Sequence, residues 1–432
     1  MSIIDSTKIF KGNIIFTPTP NEFFTIENGY IVIVNGKVKN VYKILPEEYN
    51  DFKIIDYSNK LIIPGMNDLH AHAPQFRHLG MAMDKELLPW LNDYTFPEES
   101  KFKDLDYSRN VYERFIKEVW KQGTTRIAVF ATIHKNASMD LMELFIKSGL
   151  GAYVGKVNMD LNSPPYLCET SEDSLMDTEE IIVKYKDKSP IVKPIITPRF
   201  VPTCSSELLK GLGELSIKYK VSVQSHLSEN KNEIAWVKEL HPTSNFYGEV
   251  YNKYNLLGQS PTLMAHCSFS SREEMALMKE NNVIAVHCPS SNLNVGSGMM
   301  PIRKFLDNDI RVAFGSDISG GHTCSIFKTM IYAIQVSKLF WANSNKEIPF
   351  LSNSEAFYIA TKTGGSFFGK VGSFEEGYDF DALVIDDSEL NYFNYSLEER
   401  LERFIYVGDD RHILHRYVCG NLIEEPRSLI QL

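Results

Sequence analysis

The sequence predicts an α/β protein: a (β/α)8 TIM-like barrel with a small β-sandwich domain built from both chain ends. Three observations predict it. Through the middle of the chain, short apolar runs alternate with longer amphipathic segments, the pattern of repeated strand–helix units. Residues 1–60 read instead as short strands, and strand-like sequence returns after residue 377. The expected division is residues 1–60 and 369–432 for the two parts of the β-sandwich and residues 61–368 for the barrel.

In the N-terminal part, residues 29–34 and 38–44 are candidate strands. Asn35-Gly36-Lys37 lies between them, and Asn-Gly is a strong hairpin signal. The candidate barrel strands are residues 61–69, 124–131, 151–157, 191–198, 221–226, 262–266, 283–287 and 311–316. Helices fall between them. Residues 107–122 form one, with Val111, Phe115 and Val119 on one face, and residues 272–280 another. At the far end, residues 377–385 read as a turn followed by a strand, and residues 405–424 as further strand sequence.

Composition excludes several function classes. The 432 residues are 43% hydrophobic and 23% charged, as in ordinary globular chains. A net charge of −10 repels phosphate backbones, so no nucleic-acid partner is expected. No run of 18 apolar residues is present, so no membrane span is expected. Met1-Ser2-Ile3-Ile4-Asp5 lacks the basic region and apolar run of a signal peptide, and the expected location is cytoplasmic. The six cysteines form no C-x-x-C pair, so they are expected as reduced thiols and not as a zinc cage.

A barrel gives its strand ends a meaning, because active residues of this architecture collect at the C-terminal mouth. His70-Ala71-His72 directly follows the first candidate strand. Alternate residues share a strand face, so both imidazoles can point the same way, and neutral imidazole is a common metal ligand. Two ordinary loop histidines fit the same tripeptide equally well. His226 and His266 end two further candidate strands, and Glu229 follows His226 by three residues. Asp317 ends another, where it suits either a ligand or the N-cap of a following helix. His287 also ends a strand and reads as structural or supporting; His78 and His134 read as loop residues. Several imidazoles and a carboxylate gathered at one mouth are costly to bury unless something pairs them.

Pro64-Gly65-Met66-Asn67-Asp68-Leu69-His70-Ala71-His72 resembles the opening motif of the metal-dependent amidohydrolase superfamily. The ordered set of H-x-H, His226, His266 and Asp317 extends that resemblance across the whole barrel. Within the superfamily, the flanking segments are similar to those of the guanine deaminases. They are Gln75, Leu87-Leu88-Pro89-Trp90-Leu91, Tyr94-Thr95-Phe96-Pro97, Pro198-Arg199-Phe200, His226-Leu227-Ser228-Glu229-Asn230 and Gly315-Ser316-Asp317-Ile318-Ser319-Gly320-Gly321. Binuclear members carry a carboxylated lysine at the end of strand four. Here Arg199-Phe200 stand there and Lys193 lies near the strand's start, so a single metal is expected.

The resemblance implies that His70, His72, His226 and Asp317 bind one divalent metal, zinc with iron as the alternative. Such an ion lowers the pKa of water from about 15.7 to roughly 7. Attack at C2 of guanine would give xanthine and ammonia. Glu229 would shuttle protons, His266 would orient the nucleophile or stabilise charge, and Asp317 would accept a proton while ligating. Gln75 and Arg199 would read the purine edge; a guanidinium offers only donors and so suits the guanine carbonyl. Phe200 would contribute a backbone contact or pack against the ring, Trp90 would wall the pocket or sit in the core, and residues 74–102 would cover it. The resemblance further implies a small purine base as partner and a homodimer as the assembly. The same metal site would serve an amidohydrolase acting on cytosine, adenosine or a triazine. A scaffold that has lost its ligands is opposed by their full presence, and the H-x-E/P-C-x-x-C zinc deaminases by the lack of P-C-x-x-C.

Overall fold

The computed structural model describes residues 7–426; the signal-peptide expectation, drawn on residues 1–5, lies outside them. The chain opens with β1 (Thr7–Thr19), β2 (Glu22–Val34), β3 (Lys37–Tyr42) and β4 (Ile54–Pro64). β1 pairs antiparallel with β2 and parallel with β4, and its Ile9, Phe10, Ile14 and Ile15 are fully buried. Between β2 and β3, Asn35 (φ 53°) and Gly36 (φ 77°) make the expected two-residue left-handed turn. Gly36 is required twice over, since a Cβ there would come within 2.3 Å of the Cys419 carbonyl oxygen.

The barrel strands follow: β5 (Met66–His72), β6 (Thr124–Phe130), β7 (Gly151–Gly155), β8 (Val157–Asn158), β9 (Val192–Pro194), β10 (Thr197–Pro198), β11 (Val223–Leu227), β12 (Thr262–His266), β13 (Ile284–His287) and β14 (Val312–Phe314). The strand expected at 61–69 is two strands. Residues 61–64 end β4, so the boundary expected after residue 60 falls inside that strand. The chain changes partner at Gly65, whose N–H donates to Asp381 O (3.0 Å) while the Met66 N–H donates to Gly123 O (3.1 Å). The strands expected at 151–157 and 191–198 also break in two, and their outer pieces, β8 and β10, pair with each other.

Two four-stranded parallel sheets, β5-β6-β7-β9 and β11-β12-β13-β14, make up the barrel wall. They join at an Ile196–Val223 bridge on one side. On the other, the Asp317 N–H donates to His70 O (2.8 Å) and the His72 N–H to Ile318 O (3.0 Å). Leu69, Ala128, Leu263, Ile284, Val286 and Ala313 fill the interior, so it is a packed core and not a pore. Of the surrounding helices, Leu105–Lys121 buries Val111, Phe115 and Val119 as its periodicity predicts, and starts at Asp104, whose carboxylate accepts from the Asp106 and Tyr107 N–H groups. The other expected helix is Arg272–Glu280, capped by Ser271.

β15 (Ala382–Ile385), β16 (Ile413–Val418) and β17 (Asn421–Leu422) complete a seven-stranded sheet of order β17-β16-β15-β4-β1-β2-β3. The outer edge of β3 meets the segment before β15: Val38 N–H donates to Tyr378 O and Gly377 N–H to Val38 O, both at 2.8 Å. The sheet thus folds over its own core of Phe10, Ile14, Ile31, Ile62, Phe380 and Tyr417. Part of the strand sequence expected at 405–424 is helical, because residues 405–407 close the helix Leu397–Val407. Buried Leu401, Phe404 and Ile405 follow helical spacing, and a Ser396/Glu399 capping box starts the turn. Among the described residues, no helix is long and apolar enough to cross a membrane.

One buried ion pair ties the barrel to the terminal sheet. Arg126 of β6, 2% exposed, donates through Nε to Asp381 Oδ2 (2.6 Å) and through Nη2 to Asp381 Oδ1 (3.2 Å). Removing one partner leaves an uncompensated buried charge, which costs about 3–5 kcal/mol, whereas apolar replacement of both partners is often neutral. Arg126→Met should therefore lower the thermal midpoint clearly, and Arg126→Met with Asp381→Leu should recover most of the loss. Equal midpoints for wild type and the single variant, read by calorimetry, would contradict this role.

Candidate metal centre and active site

His70 and His72 alternate on β5, and both side chains are buried. A side chain at residue 315 would block this arrangement, since a Cβ on Gly315 would stand 2.6 Å from His70 Cβ. His226 lies near the end of β11, His266 ends β12 and Asp317 follows β14. Glu229 comes two residues after β11, past Ser228 in a left-handed conformation (φ 48°). His266 (φ 74°) and Asp317 (φ 47°) share that uncommon conformation, which non-glycine residues adopt at a cost and which collects at functional sites. Asp317 caps no helix; the next one, Ile326–Asn343, starts after Ser325, so the N-cap alternative is overturned.

The side chains converge. Asp317 Oδ1 lies 3.1 Å from His70 Nε2 and 3.4 Å from His72 Nε2, and its Oδ2 lies 3.8 Å from His266 Nε2. His72 Nε2 and His226 Nε2 are 3.2 Å apart. The other ring nitrogens set the tautomers. His226 Nδ1 bonds the Arg199 carbonyl and His266 Nδ1 bonds Asn292 Oδ1 at 2.8 Å; both partners only accept, so both Nδ1 atoms carry the proton. The Nε2 lone pair of His226 therefore faces the shared centre, His266 presents its Nε2 to Glu229 and Asp317, and buried His70 Nε2 has no hydrogen-bond partner.

Electrostatics act in the same sense. Burial pushes His70, His72 and His226 below the usual histidine range and keeps them neutral, the state in which imidazole can ligate. Burial alone would raise Asp317, but the facing imidazoles of His70, His266 and His72 hold it well below the usual carboxylate range. At His266 burial works downward, and the carboxylates of Glu229 and Asp317 outweigh it and raise the group. Ligand atoms of His70, His226 and His266, and of His70, His72 and Asp317, lie within 4.8 Å of one another. Several imidazole nitrogens and one carboxylate around a common centre fit one divalent cation. Lys193 stays away, with its Nζ bonded to the Lys186 carbonyl at 2.7 Å.

Beside this cluster is a cavity of about 350 Å³ whose walls include His72, Gln75, Arg199, Phe200, Glu229 and Trp90. Glu229 lies 3.6 Å from His266 Nε2 and accepts the Ser297 hydroxyl at 2.7 Å. Gln75 accepts the Ser319 N–H at 3.1 Å and donates to Glu99 Oε1 at 3.0 Å. Glu99 Oε2 accepts from Arg199 Nη1 at 2.7 Å, and the guanidinium carbon lies over the Phe96 ring, 5.3 Å from its centroid. Phe200 stands edge-on to Trp236 with ring centroids 6.2 Å apart.

The pocket thus brings together every candidate singled out in the sequence: His70, His72, His226, His266, Asp317, Glu229, Gln75, Arg199 and Phe200. His287 stays apart, fully buried against Phe314, with neither ring nitrogen bonded. Sequence reasoning passed over Asp68, Glu99, Asn292 and Ser297. Asp68 accepts the Ser316 N–H and hydroxyl at 2.9 and 2.5 Å, and the other three hold Arg199 and Gln75, His266 and Glu229 in turn. Asp68 lay inside the motif that ends in H-x-H and Glu99 inside the segment 74–102 expected to cover the pocket, but neither was given a role.

Comparison with known proteins agrees with this geometry. Residues 61–423 match the amidohydrolase family. The chain is 40% identical to a guanine deaminase of Dictyostelium discoideum, over 96% of this chain and 98% of that one. It is 36% identical to the guanine deaminase of Escherichia coli strain K12, over 93% and 92%. A crystal structure of guanine deaminase from C. acetobutylicum, with guanine bound in its active site, is similar at a TM-score of 0.96 and 64% identity, covering 97% of this chain and 100% of that one. By the barrel, the cluster at its mouth and the match over most of its length, the chain belongs to the amidohydrolase family.

Proposed function

We infer that this chain is a metal-dependent hydrolase that converts guanine and water to xanthine and ammonia. One observation carries the reading. A metal-competent cluster, the buried carboxyl of Glu229 and a fixed donor–acceptor array at Gln75 and Arg199 share one cavity of about 350 Å³. That is the size class of small-molecule pockets, and ample for a purine base. Relatives named guanine deaminases, one with guanine bound in its active site, support the same substrate.

His70, His72, His226 and Asp317 would hold the ion, zinc or alternatively iron, because they supply neutral nitrogens and one low-pKa carboxylate. When bound, the ion acidifies water to a pKa of roughly 7. Glu229 takes one proton of the attacking water and delivers it to the ring nitrogen; the water's second proton, released as the new hydroxyl becomes the C2 carbonyl, passes through the same carboxyl to the leaving amine, so the carboxyl must alternate between base and acid. His266, fixed by Asn292 and faced by Glu229 and Asp317, orients the attacking oxygen and offsets the charge that develops as the tetrahedral centre forms. Arg199 spends one donor on Glu99 and keeps others for the guanine carbonyl; an adenine amine there would set donor against donor. Phe200 walls the base on the side of Trp236.

The first test is ammonia release by metal-loaded protein from guanine, adenine, cytosine and adenosine side by side. Guanine alone should react, with xanthine read by its ultraviolet spectrum. Preference for another base would keep the hydrolase reading and remove guanine. Glu229→Gln should lower kcat by about 10²–10⁴ with metal content unchanged; wild-type turnover would end the proton-shuttle assignment. Asp317→Ala should lose both activity and bound metal, measured by elemental analysis, and an unchanged metal content would take Asp317 out of the ligand set.

A further inference from the structure

Glu99 stands directly behind two residues of the pocket wall, Gln75 and Arg199, and has no part in holding the ion or moving protons. It is 2% exposed, yet it stands on the short helix Phe96–Glu99 of the segment covering the cavity. Its two oxygens divide their work between β-strand loops that are far apart in sequence. Oε1 accepts from Gln75 Nε2 (3.0 Å) just beyond β5, and Oε2 accepts from Arg199 Nη1 (2.7 Å) just beyond β10.

This geometry decides what Gln75 and Arg199 can show a ligand. A carboxamide can turn over by 180°, exchanging its donor and acceptor at almost no change of shape. Here both ends are committed: the amino group faces an acceptor that cannot donate, and the oxygen accepts the Ser319 N–H at 3.1 Å. Gln75 therefore presents one remaining N–H and one remaining lone pair in a single fixed orientation. Arg199, paired to Glu99 and lying over the Phe96 ring, presents its remaining donors in a restricted orientation. A fixed donor array favours a ligand with a carbonyl oxygen and penalises one with an amine at the same place, since a mismatch leaves buried polar groups unpaired.

We propose that Glu99 is a positioning residue that sets the site's preference for a 6-carbonyl purine over a 6-amino purine, by locking the orientation of Gln75 and restricting that of Arg199. The proposal rests on the guanine reading above. The discriminating pair is guanine and 2,6-diaminopurine, which carry the same amine at C2 and differ at C6, where one has oxygen and the other an amine. Hydrolysis at C2 consumes one water and releases one ammonia from either.

Glu99→Gln keeps the shape but lets the residue at 99 donate as well as accept, so of the two contacts that orient Gln75 only the Ser319 N–H still discriminates, and Arg199 loses its anionic partner. The expected result is a KM for guanine raised about tenfold or more, kcat within about threefold of wild type, and a guanine to 2,6-diaminopurine ratio of kcat/KM lowered about tenfold or more. Metal content should not change. Glu99→Asp retains the charge opposite Arg199, and with it the fold, but is too short to reach both partners; it should shift the ratio in the same direction by less. If wild type ignores guanine, the functional reading fails. If wild type deaminates guanine while both variants keep the wild-type ratio, or lose kcat alone, only the role of Glu99 is overturned.

Discussion

The site depends on the seam where β14 returns to β5. The two backbone bonds that close the barrel there, Asp317 N–H to His70 O and His72 N–H to Ile318 O, are made by the candidate ligands themselves or their neighbours. Barrel closure and ligand geometry are thus one constraint. A register slip of one residue at this seam would turn His70 and His72 to the opposite face of β5 and separate them from Asp317. Gly315 belongs to the same constraint, because only a residue without a Cβ lets β14 come this near to His70. Asp68 reinforces it from below by accepting both the N–H and the hydroxyl of Ser316.

Burial acts on Asp68, Glu233, Asp317 and the four clustered histidines, and their neighbours decide the outcome. Asp68 and Glu233 are both pushed to about 7 by burial. Asp317 is buried as deeply, but three imidazoles face it, and it moves the other way. The histidines are kept neutral by the same burial, apart from His266, which two carboxylates raise. Burial at one barrel mouth therefore produces neutral nitrogen ligands, an ionised oxygen ligand and two carboxyls with pKa values of about 7. Around that pocket the carboxylates are kept separate by having distinct partners: Ser316 for Asp68, Tyr247 and the Glu229 N–H for Glu233, Arg199 and Gln75 for Glu99.

The terminal sheet serves the site from a distance. β4 runs directly into β5 through Gly65, so the strand that carries His70 and His72 is anchored at its start by the pairing of β4 with β15. Arg126 adds a second tie from β6 to Asp381. The chain ends meet in one sheet because β1 and β4 supply its centre while β15 adds to the other side of β4. The far edge of β3 is then covered by residues 377–380, which leaves that edge paired and not free to recruit another strand.

The parts of this protein legible in its sequence were those carried by local pattern. The alternation of apolar runs and amphipathic segments specified the barrel, Asn35-Gly36 the hairpin, and the placing of His70, His72, His226, His266 and Asp317 at strand ends a shared mouth, since parallel barrel strands all finish on one side. What local pattern could not reach was any choice made by partners distant in the chain. The run 61–69 looks like one strand, and it becomes two only because Asp381 and Gly123 take its N–H groups in turn. Residues 405–407 have strand-like side chains, but they close a helix in which Ile405 packs on the core while Tyr406 and Val407 are exposed. Asp317 suited a helix cap as well as a ligand, and the decision came from imidazoles on β5 and β12. Glu99, Asn292 and Ser297 gave no signal, because an isolated acid, amide or hydroxyl acquires meaning only from the group it faces. Sequence determined which chemistry the barrel mouth carries; tertiary structure decided how each group is charged, oriented and held, because hydrogen bonding and burial act between residues that the fold alone brings together.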